Sequence, residues 1–415
     1  MNKSRIAITH PDDTKRTRRF IISLGKTMHE YGTSSYRLER LLTETTHLLG
    51  LNGTFLITPT SMNFIFWEDD SEGETTHIAR VAPGGIDLNR LSLTHTLTEQ
   101  VLNREVSLDE GIESLHKIRS SPDLYPKKLE FLTWGISSAS FAALCGTSYI
   151  DTLAAMVAGF LVYLLIYAST KIKRIEDMLE PISALLIGFL ASGAAATGLQ
   201  INAAIVILAG VIVFIPGLSL TLGLHELAAR DLISGTARIM DSIMTLFKLY
   251  FGAAFGLALG TLLWHITPHV VVPSMPTWVS YVAVLILSTS LLVMFKIRRT
   301  DAIWALLAGF IAYTSTEVGN YLFGAELGAL LGAMVVGVYA NAYARIRNTP
   351  SNIVLLPGIV LLVPGSKAYM GLSSLVSGQE ILSNSAGGGQ IFLTFMALIA
   401  GLMFSNVILP PQHRL

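Results

Sequence analysis

Residues 213–238 read VFIPGLSLTLGLHELAARDLISGTAR and combine a membrane-like run with a break and a charged segment. Proline removes a backbone donor and clashes with the preceding helical turn, and glycine frees the backbone, so a membrane helix should be interrupted at Pro216-Gly217. Interrupted helices persist in a bilayer only where the freed backbone groups are buried in protein or line water. The stretch is therefore either the exit of a membrane helix or a substrate-lining break.

The composition of the whole chain indicates a membrane protein. Its 415 residues are 51% hydrophobic and 14% charged, with a mean hydropathy of +0.55, whereas soluble domains carry about 25% charged residues. Residues 1–128 hold 17 acidic and 16 basic residues of the 58 in the chain. The sequence therefore divides into a charged N-terminal zone, 1–128, and an apolar zone, 129–415.

Several classes of function are disfavoured at once. The formal net charge is zero and no long basic run occurs, so nucleic acid is not an expected partner. Cys145 is the single cysteine, which excludes an intrachain disulfide and a cysteine-based metal cluster. The first 20 residues contain no apolar run of secretory length. We therefore expect the N-terminal zone to stay in the cytosol.

The N-terminal zone has the pattern of a small α/β domain. Apolar residues recur at helical spacing over 15–50, with a break near Gly32. TFLITPTSMNFIFWED predicts two strands around Pro59-Thr60-Ser61, and HIARVAP predicts a third. Ser107 and Glu110 form a capping box that opens another helix.

The apolar zone predicts about ten transmembrane helices, because each apolar run is close to the roughly 20 residues that cross a bilayer. The predicted spans are 129–147, 151–170, 179–198, 200–222, 240–264, 277–295, 301–317, 322–344, 352–370 and 390–409. Lysine and arginine concentrate in every second connection. They are Lys171, Lys173, Arg174, Arg230, Arg238, Lys296, Arg298, Arg299, Arg345 and Arg347. By the positive-inside rule, both termini are predicted to be cytosolic.

Two pairs of motifs indicate an internal repeat. Asp151-x7-Gly159-Phe160-x2-Tyr163 recurs as Asp301-x7-Gly309-Phe310-x2-Tyr313, and Gly210-x5-Pro216-Gly217 recurs as Gly358-x5-Pro364-Gly365. Because five spans per copy is an odd number, residues 129–264 and 265–415 are predicted to be inverted five-helix repeats. This arrangement predicts the two Pro-Gly breaks near opposite faces of the membrane, as two gates.

The candidate functional residues fall into two groups. The first comprises the breaks, whose exposed amides can hold a carboxylate: Pro216, Gly217, Ser219, Pro364, Gly365 and Ser366. The second comprises the charged segment and its neighbours, a candidate gate or proton relay: Glu226, Arg230, Asp231, Gly235, Arg238 and Asp241. Glu226, Arg230 and Asp231 are about one helical turn apart and are predicted to pair with one another. Arg238 is a candidate for binding a substrate carboxylate. The alternatives are a plain helix end for the first group and a solvated connecting helix for the second.

A metal-dependent hydrolase is a distant alternative based on His225 and Glu226. Ala229 stands where the zinc motif H-E-x-x-H requires its second histidine, so a metal site is not expected. No nucleotide-binding motif occurs either, so ATP-driven transport is not expected. We expect no cofactor. Two glycine stripes, Gly252-x3-Gly256-x3-Gly260 and Gly324-x3-Gly328-x3-Gly332, predict close helix packing.

The chain resembles the threonine/serine exporter family from about residue 20 to the C-terminus. The resemblance is carried by HEYGTSSYRLERLL, TPTSMNFIF, RVAPGGIDLNRL, DTLAAMVAGFLVY, IPGLSLTLGLHELAARDLISGTARIMD and LLPGIVLLVPGS. It implies a secondary exporter of threonine and serine in the inner (plasma) membrane, driven by the proton motive force. Similar halves that occur as two proteins export C4 dicarboxylates such as succinate, so a dicarboxylate exporter is the alternative. An importer or channel of the same architecture is a further rival.

Four polar residues of the N-terminal zone belong to the same resemblance. Ser34, Ser35, Arg37 and Glu39 follow Gly32 and can form a surface that senses a cytosolic substrate or seals the inner side; the alternative is a structural helix start. The expected partners are a small-molecule substrate and the lipid bilayer, and a homo-oligomer is an alternative to a monomer.

Overall fold

The N-terminal region, defined here as residues 11–126, packs helices against a small antiparallel sheet. The structure is a computed structural model that describes residues 11–68, 73–264, 275–377 and 388–411. The elements of the N-terminal region are α1 (Pro11–Glu30), α2 (Ser35–Leu48), β1 (Asn52–Ile57), β2 (Ser61–Trp67), β3 (Thr75–Arg80), α3 (Leu88–Leu102) and α4 (Leu108–Ser120). The strand order is β1-β2-β3, with both pairs antiparallel.

Local sequence signals explain these elements. Gly32 has a φ of +91°, which separates α1 from α2 as predicted. In β2, burial alternates along the strand, so Met62, Phe64 and Phe66 face the helices. The capping box of Ser107 and Glu110 is present at the start of α4. The predicted strands and helices of this region are confirmed.

The described residues from 127 onwards are almost entirely helical. The helices are α5 (Lys127–Leu144), α6 (Tyr149–Ser169), α7 (Lys173–Glu176), α8 (Leu179–Ala196), α9 (Ala203–Gly210), α10 (Gly217–Ala228), α11 (Leu232–Trp264), α12 (Trp278–Met294), α13 (Arg299–Phe323), α14 (Ala325–Arg347), α15 (Asn352–Leu362), α16 (Gly365–Ser377) and α17 (Gly388–Ile408). A short 3-10 turn, Ile212–Phe214, lies between α9 and α10.

The chain is a polytopic α-helical membrane protein. Among the described residues, seven helical segments are long and apolar enough to cross a bilayer, or eight if the bent pair α9 and α10 counts as one span. The other two of the ten predicted spans correspond to α5 and α12. Helix α12 has 17 residues, and the first turn of α5 carries Lys127, Lys128 and Glu130. These two helices pack against each other.

Small residues set the close packing of the membrane helices. Gly252 and Gly256 of α11 lie against the backbone of Pro181 and Leu185 in α8, where a Cβ atom would clash. Gly328 and Gly332 of α14 meet side chains of α13 in the same way. Both stripes act in packing, as predicted. Gly324 instead connects the two helices, with a φ of +89°.

The two Pro-Gly breaks meet each other. The pair α9 and α10 is bent by 55° at the first break, and α15 ends just before the second, at Leu362. A Cβ atom added at Gly217 would lie 3.0 Å from the Cα atom of Gly365. The prediction that the breaks lie at opposite faces is therefore wrong. Each helix pair breaks partway along its length, so both breaks lie inside the helical bundle.

Corresponding positions of the two halves make corresponding contacts. Gly159 packs on the Ser138 hydroxyl, and Gly309 packs on the Ser288 hydroxyl. Gly210 lies against Ala158, and Gly358 lies against Ala308. In both halves, therefore, the helix that precedes the break crosses the same small-residue surface.

The N-terminal region covers one end of the helical bundle. The Leu88 amide donates to the Phe295 carbonyl at 3.0 Å, and the Tyr125 hydroxyl donates to the Ile297 carbonyl at 2.7 Å. The Ser234 hydroxyl donates to the Ile57 carbonyl at 2.7 Å. Buried apolar residues of this region and of α13, α14, α15 and α17 form one continuous cluster. The N-terminal region is thus seated on the connections of the bundle.

Candidate functional site

Glu226 is a fully buried carboxylate at the end of α10, with 0% of its surface exposed. Both of its oxygens accept from the guanidinium of Arg238 in α11, Oε2 from Nε at 3.0 Å and Oε1 from Nη2 at 3.1 Å. This two-point geometry matches the planar fork of arginine to the planar carboxylate. The pair fixes the end of α10 against α11.

Glu226 also binds the N-terminal region. Its Oε1 atom accepts from the backbone amide of Ser35 at 3.3 Å. Ser35 is the first residue of α2, and the side chain of the preceding Ser34 makes no capping bond. A carboxylate at a helix N-terminus satisfies a free amide and interacts favourably with the helix dipole. Glu226 therefore caps α2 across the interface and joins three elements.

Arg230 does not pair with Glu226, which corrects the predicted internal pairing of the charged segment. Helix α10 ends at Ala228, and Arg230 is exposed with a left-handed φ of 68°. The amides of Arg230 and Asp231 donate to the carbonyls of Leu227 and Glu226, which is a Schellman motif. Because α10 ends at Ala228, Arg230 and Asp231 do not continue the helix and their side chains are not aligned with that of Glu226.

The other predicted site residues lie in different settings. The Oδ1 atom of Asp231 accepts from the Ser234 amide at 3.3 Å and caps α11. Its Oδ2 atom is buried without a hydrogen-bond partner among the described residues. Gly235 allows α11 to approach α10, since an added Cβ would lie 2.8 Å from the Gly223 carbonyl. Asp241 is exposed on α11.

The residues of the two breaks lie together at the helix crossing. Pro364 is buried there with the two glycines, while Pro216, Ser219 and Ser366 are half-buried. Gly217 and Gly365 are also the first residues of α10 and α16. The N-terminal, partly positive ends of two helices therefore meet at this point.

A small polar cavity of about 50 Å³ lies between the two halves, next to this crossing. Polar side chains from four membrane helices line it: Thr221, His225, Asn341, Asn352, Ser405 and Asn406. Asn341 donates to Asn406 at 3.1 Å and to the Leu409 carbonyl at 2.8 Å. The cavity is large enough for a few waters. The membrane helices contribute hydroxyl, amide and imidazole groups to this lining and no carboxylate, lysine or arginine side chain.

Arg37 of α2 forms one wall of this cavity. Its guanidinium donates to Asn352 Oδ1 and to the Ser351 hydroxyl, the latter at 3.3 Å. The ring of Tyr36 packs on the ring of His225, with their centroids 5.4 Å apart. The start of α2 therefore covers the polar cavity from the side of the N-terminal region. The sequence shows the polarity of Ser35 and Arg37 but not their partners, which lie far away along the chain.

The arrangement does not resemble a metalloenzyme centre. The Glu226 oxygens are occupied by Arg238 and Ser35, and the His225 ring packs on Tyr36. Within the described ranges, no group of three or more histidine, cysteine, aspartate or glutamate side chains is placed to hold a metal ion.

Two ionisable groups of the N-terminal region, the buried His29 and the half-buried Glu39, lie near the Glu226 and Arg238 pair. Burial lowers the pKa of His29, whose Nε2 atom hydrogen-bonds the carbonyls of Pro59 and Ala82 at 3.2 Å each. Burial raises the pKa of Glu39, although the Ile57 amide donates to its carboxylate at 2.7 Å and opposes this rise. The interface therefore concentrates groups whose charge responds to pH.

Comparison with known families assigns the chain. The model described as "Putative threonine/serine exporter" matches residues 19–260, and the model described as "Threonine/Serine exporter, ThrE" matches residues 280–408. The chain belongs to the threonine/serine exporter family. The two models follow each other along one chain, so both parts of the family are present here as fused halves.

Similar proteins occur in fungi under the name pheromone-regulated membrane protein 10. The protein of Pichia sorbitophila is 26% identical over 388 residues, which cover 91% of this chain and 38% of the relative. That of Eremothecium gossypii is 24% identical over 397 residues, covering 92% and 53% respectively. The chain thus spans about half or less of the length of these relatives. No solved structure gives a significant match.

Proposed function

We propose that this exporter-family chain is a secondary active transporter that releases threonine and serine from the cytosol in exchange for protons. The observation that carries the proposal is the contact between the two broken helices at Gly217 and Gly365. Two helix N-termini inside the bundle provide amides and a positive potential for a substrate carboxylate. The small polar cavity, in whose wall Thr221 donates to the Gly217 carbonyl at 3.1 Å, supplies partners for a hydroxyl side chain.

We further propose that the two membrane halves, 129–264 and 265–415, are inverted repeats that rock about this crossing. The equivalent contacts of Gly159 and Gly309 with serine hydroxyls, and of Gly210 and Gly358 with alanines, support the repeat. Helix α5 leaves the N-terminal region and rises about 27 Å over its 18 residues, so α6 starts at the far end of the bundle. Helix α13 starts beside the N-terminal region, where Arg298 donates to Ser92. The equivalent helices therefore run in opposite directions.

The N-terminal region is proposed as a cytosolic domain, 1–128, that closes the inner side. It contacts three of the four connections that are rich in lysine and arginine, through Ile57, Leu88 and Arg37. By the positive-inside rule, these connections and both termini are cytosolic. The inner (plasma) membrane is the corresponding location.

Glu226 is the proposed proton-responsive element of the inner gate. Loss of its contacts with Arg238 and the α2 amide would release α2 from the bundle. An ionisable residue buried in a transmembrane path is costly and typically serves such a relay. No cofactor is needed, because the proton gradient supplies the free energy.

The function is tested by flux in proteoliposomes that contain the purified chain. We expect an imposed pH gradient to drive transport of radiolabelled L-threonine and L-serine into the vesicles, and weaker transport of succinate. Succinate flux without threonine flux would support the dicarboxylate alternative, because the same fold would then serve a dianion. Equal fluxes in empty and protein-containing vesicles would reject the proposed function. Hydrolase activity that disappears in His225→Ala while flux persists would support the enzyme alternative.

A further inference from the structure

A second, larger cavity of about 340 Å³ lies between the N-terminal region and the membrane helices. Its walls are α2, α3 and the connection from α14 to α15, and we refer to it as the vestibule. On α2, Arg37, Arg40 and Glu44 share one helix face; on α3, His95 and Glu99 share another. The volume lies in the range of sites for small organic molecules.

The charges of the vestibule are balanced. Its charged lining consists of two arginines, Arg37 and Arg40, and two glutamates, Glu44 and Glu99. A net-neutral zwitterion would find a cation for its carboxylate and a carboxylate for its ammonium group. A dianion would bring its second carboxylate towards Glu44 and Glu99, where like charges repel. The hydroxyl groups of Thr33, Thr96, Thr349 and Ser351 also line the vestibule.

Arg40 and Glu44 are accessible to a ligand. Arg40 and Glu44 are within 3.8 Å of each other, and about half of each side chain is exposed, 52% and 45%. Exposed ion pairs of this kind contribute little to stability. A bound zwitterion could therefore replace this contact at low cost.

Arg37 belongs to both cavities. It lines the vestibule and the small polar cavity, and so does Asn352, to which Arg37 donates a hydrogen bond. The contact of Arg37 with Asn352 and Ser351 thus forms the partition between the two spaces. A ligand carboxylate in the vestibule would compete with Asn352 and Ser351 for the same guanidinium.

We propose that the vestibule is a binding site for a small α-amino acid zwitterion and that its occupancy opens the partition at Arg37. The ligand carboxylate binds Arg37 and Arg40, its ammonium group binds Glu44 and Glu99, and Arg37 leaves Asn352. The inference rests on the proposed function, because the bound zwitterion is the exported solute on its way to the polar cavity. It also makes the vestibule a selectivity step that disfavours dicarboxylates.

Binding to the purified full-length chain in lipid nanodiscs tests the site. Displacement of radiolabelled L-threonine is measured in parallel with four unlabelled competitors: L-threonine, L-threonine methyl ester, N-acetyl-L-threonine and succinate. We expect only the complete zwitterion to compete well. Arg40→Gln and Glu44→Gln should each weaken L-threonine binding about tenfold or more, since each removes a charge-assisted contact. The double variant Glu44→Gln with Glu99→Gln should shift preference towards succinate.

Matched controls are Arg80→Gln and Glu113→Gln, which change exposed residues that do not line the vestibule. Both should bind L-threonine as the wild type does. Size-exclusion profiles and thermal unfolding establish that each variant is folded. Unchanged binding in folded Arg40→Gln and Glu44→Gln would overturn the site. If the wild type also exported threonine, the proposed function would stand; a wild type without threonine flux would reject that function independently.

Thiol labelling tests the opening of the partition. Ser405→Cys is placed in a Cys145→Ser background, so the only thiol lies in the small polar cavity, where Ser405 is 1% exposed. We expect saturating L-threonine to raise the rate of labelling by a water-soluble maleimide several-fold. Arg37→Gln should give the fast rate without threonine. A rate that threonine leaves unchanged, in protein that binds threonine, would contradict the coupling; Thr221→Cys provides a second position for the same measurement.

Discussion

At the scale of single residues, Glu226 is the group on which the proposed inner gate depends. Burying a carboxylate without partners would be strongly unfavourable, and Arg238 together with the Ser35 amide offsets that cost. Both partners donate to the same carboxylate, so a substitution that removes its charge weakens both contacts at once. The residue thus couples the charge of one carboxylate to the position of α2.

Removing this charge should destabilise the interface. Glu226→Gln leaves the Arg238 guanidinium, 22% exposed, without its counter-charge, and we expect a clear fall in the thermal unfolding midpoint. The double variant with Arg238→Gln should regain part of that loss, since no unpaired charge remains. Glu113→Gln, which breaks an exposed pair with Lys117, is the control and should have little effect. Additive losses in the double variant would show that the pair is not energetically coupled.

Arg230 provides a separate test at the residue scale. Its left-handed φ of 68° is unfavourable for a residue with a side chain, whereas glycine is preferred at this position of a Schellman motif. Arg230→Gly is expected to stabilise the protein by up to about 1 kcal/mol and to leave flux intact. Thermal unfolding and proteoliposome flux measure the two effects. Loss of flux in a stable Arg230→Gly variant would assign the side chain a role in the gate.

His29 predicts a pH dependence of stability. Burial lowers its pKa below the ordinary value of 6.5, so the unfolded chain takes up the proton first as the pH falls. The His29 contribution is complete above about pH 6.5 and is lost as the pH falls towards the folded-state pKa. The unfolding midpoint should therefore fall more between pH 7.5 and 5.5 in the wild type than in His29→Gln. An equal fall of the unfolding midpoint with pH in the two proteins would be inconsistent with a buried neutral His29.

At the scale of elements, the two broken helix pairs define the centre of the bundle. Helices α10 and α16 both begin at a glycine that follows a proline, and these glycines touch. Neither glycine leaves room for a side chain. The break is therefore a site of close helix contact in the present conformation as well as a source of free amides.

A glycine-to-alanine change at the crossing tests whether close packing is needed there, when it is compared with the same change at an open position. In Gly217→Ala the added Cβ would lie 2.7 Å from Val363 and 3.0 Å from the Gly365 Cα atom, so the helices must shift. We expect a lower unfolding midpoint and impaired threonine flux. Gly389→Ala at the start of α17 is the control, since nothing lies within 4 Å of its added Cβ. If Gly217→Ala and Gly389→Ala had the same unfolding midpoint and the same threonine flux, the close contact of α10 with α16 would not be required.

The sequence predicted local features better than long-range ones. The helix break at Pro216-Gly217 and the capping box at Ser107 follow from the chemistry of a few adjacent residues, and both are confirmed. The end of α10 at Ala228 was not predicted, so Glu226 was assigned neighbouring partners instead of Arg238. The contact of Arg37 with Asn352 spans 315 positions and has no local signal.

At the scale of the whole molecule, the N-terminal region closes one end of a helical bundle built from two corresponding halves. Its core is continuous with that of α13, α14, α15 and α17, while Glu226 attaches it to α10 of the first half. A movement of one half relative to the other must therefore strain or release the α2 contacts. This geometry links the proposed cytosolic gate to the crossing of the broken helices.

The most direct test of this account is counterflow of radiolabelled L-threonine in proteoliposomes, measured with and without a pH gradient for the wild type and Glu226→Gln. The account predicts that the gradient accelerates wild-type counterflow and that Glu226→Gln loses this acceleration while it remains folded and inserted. Threonine flux in the wild type that does not respond to the gradient, or a folded Glu226→Gln that responds as the wild type does, would contradict it.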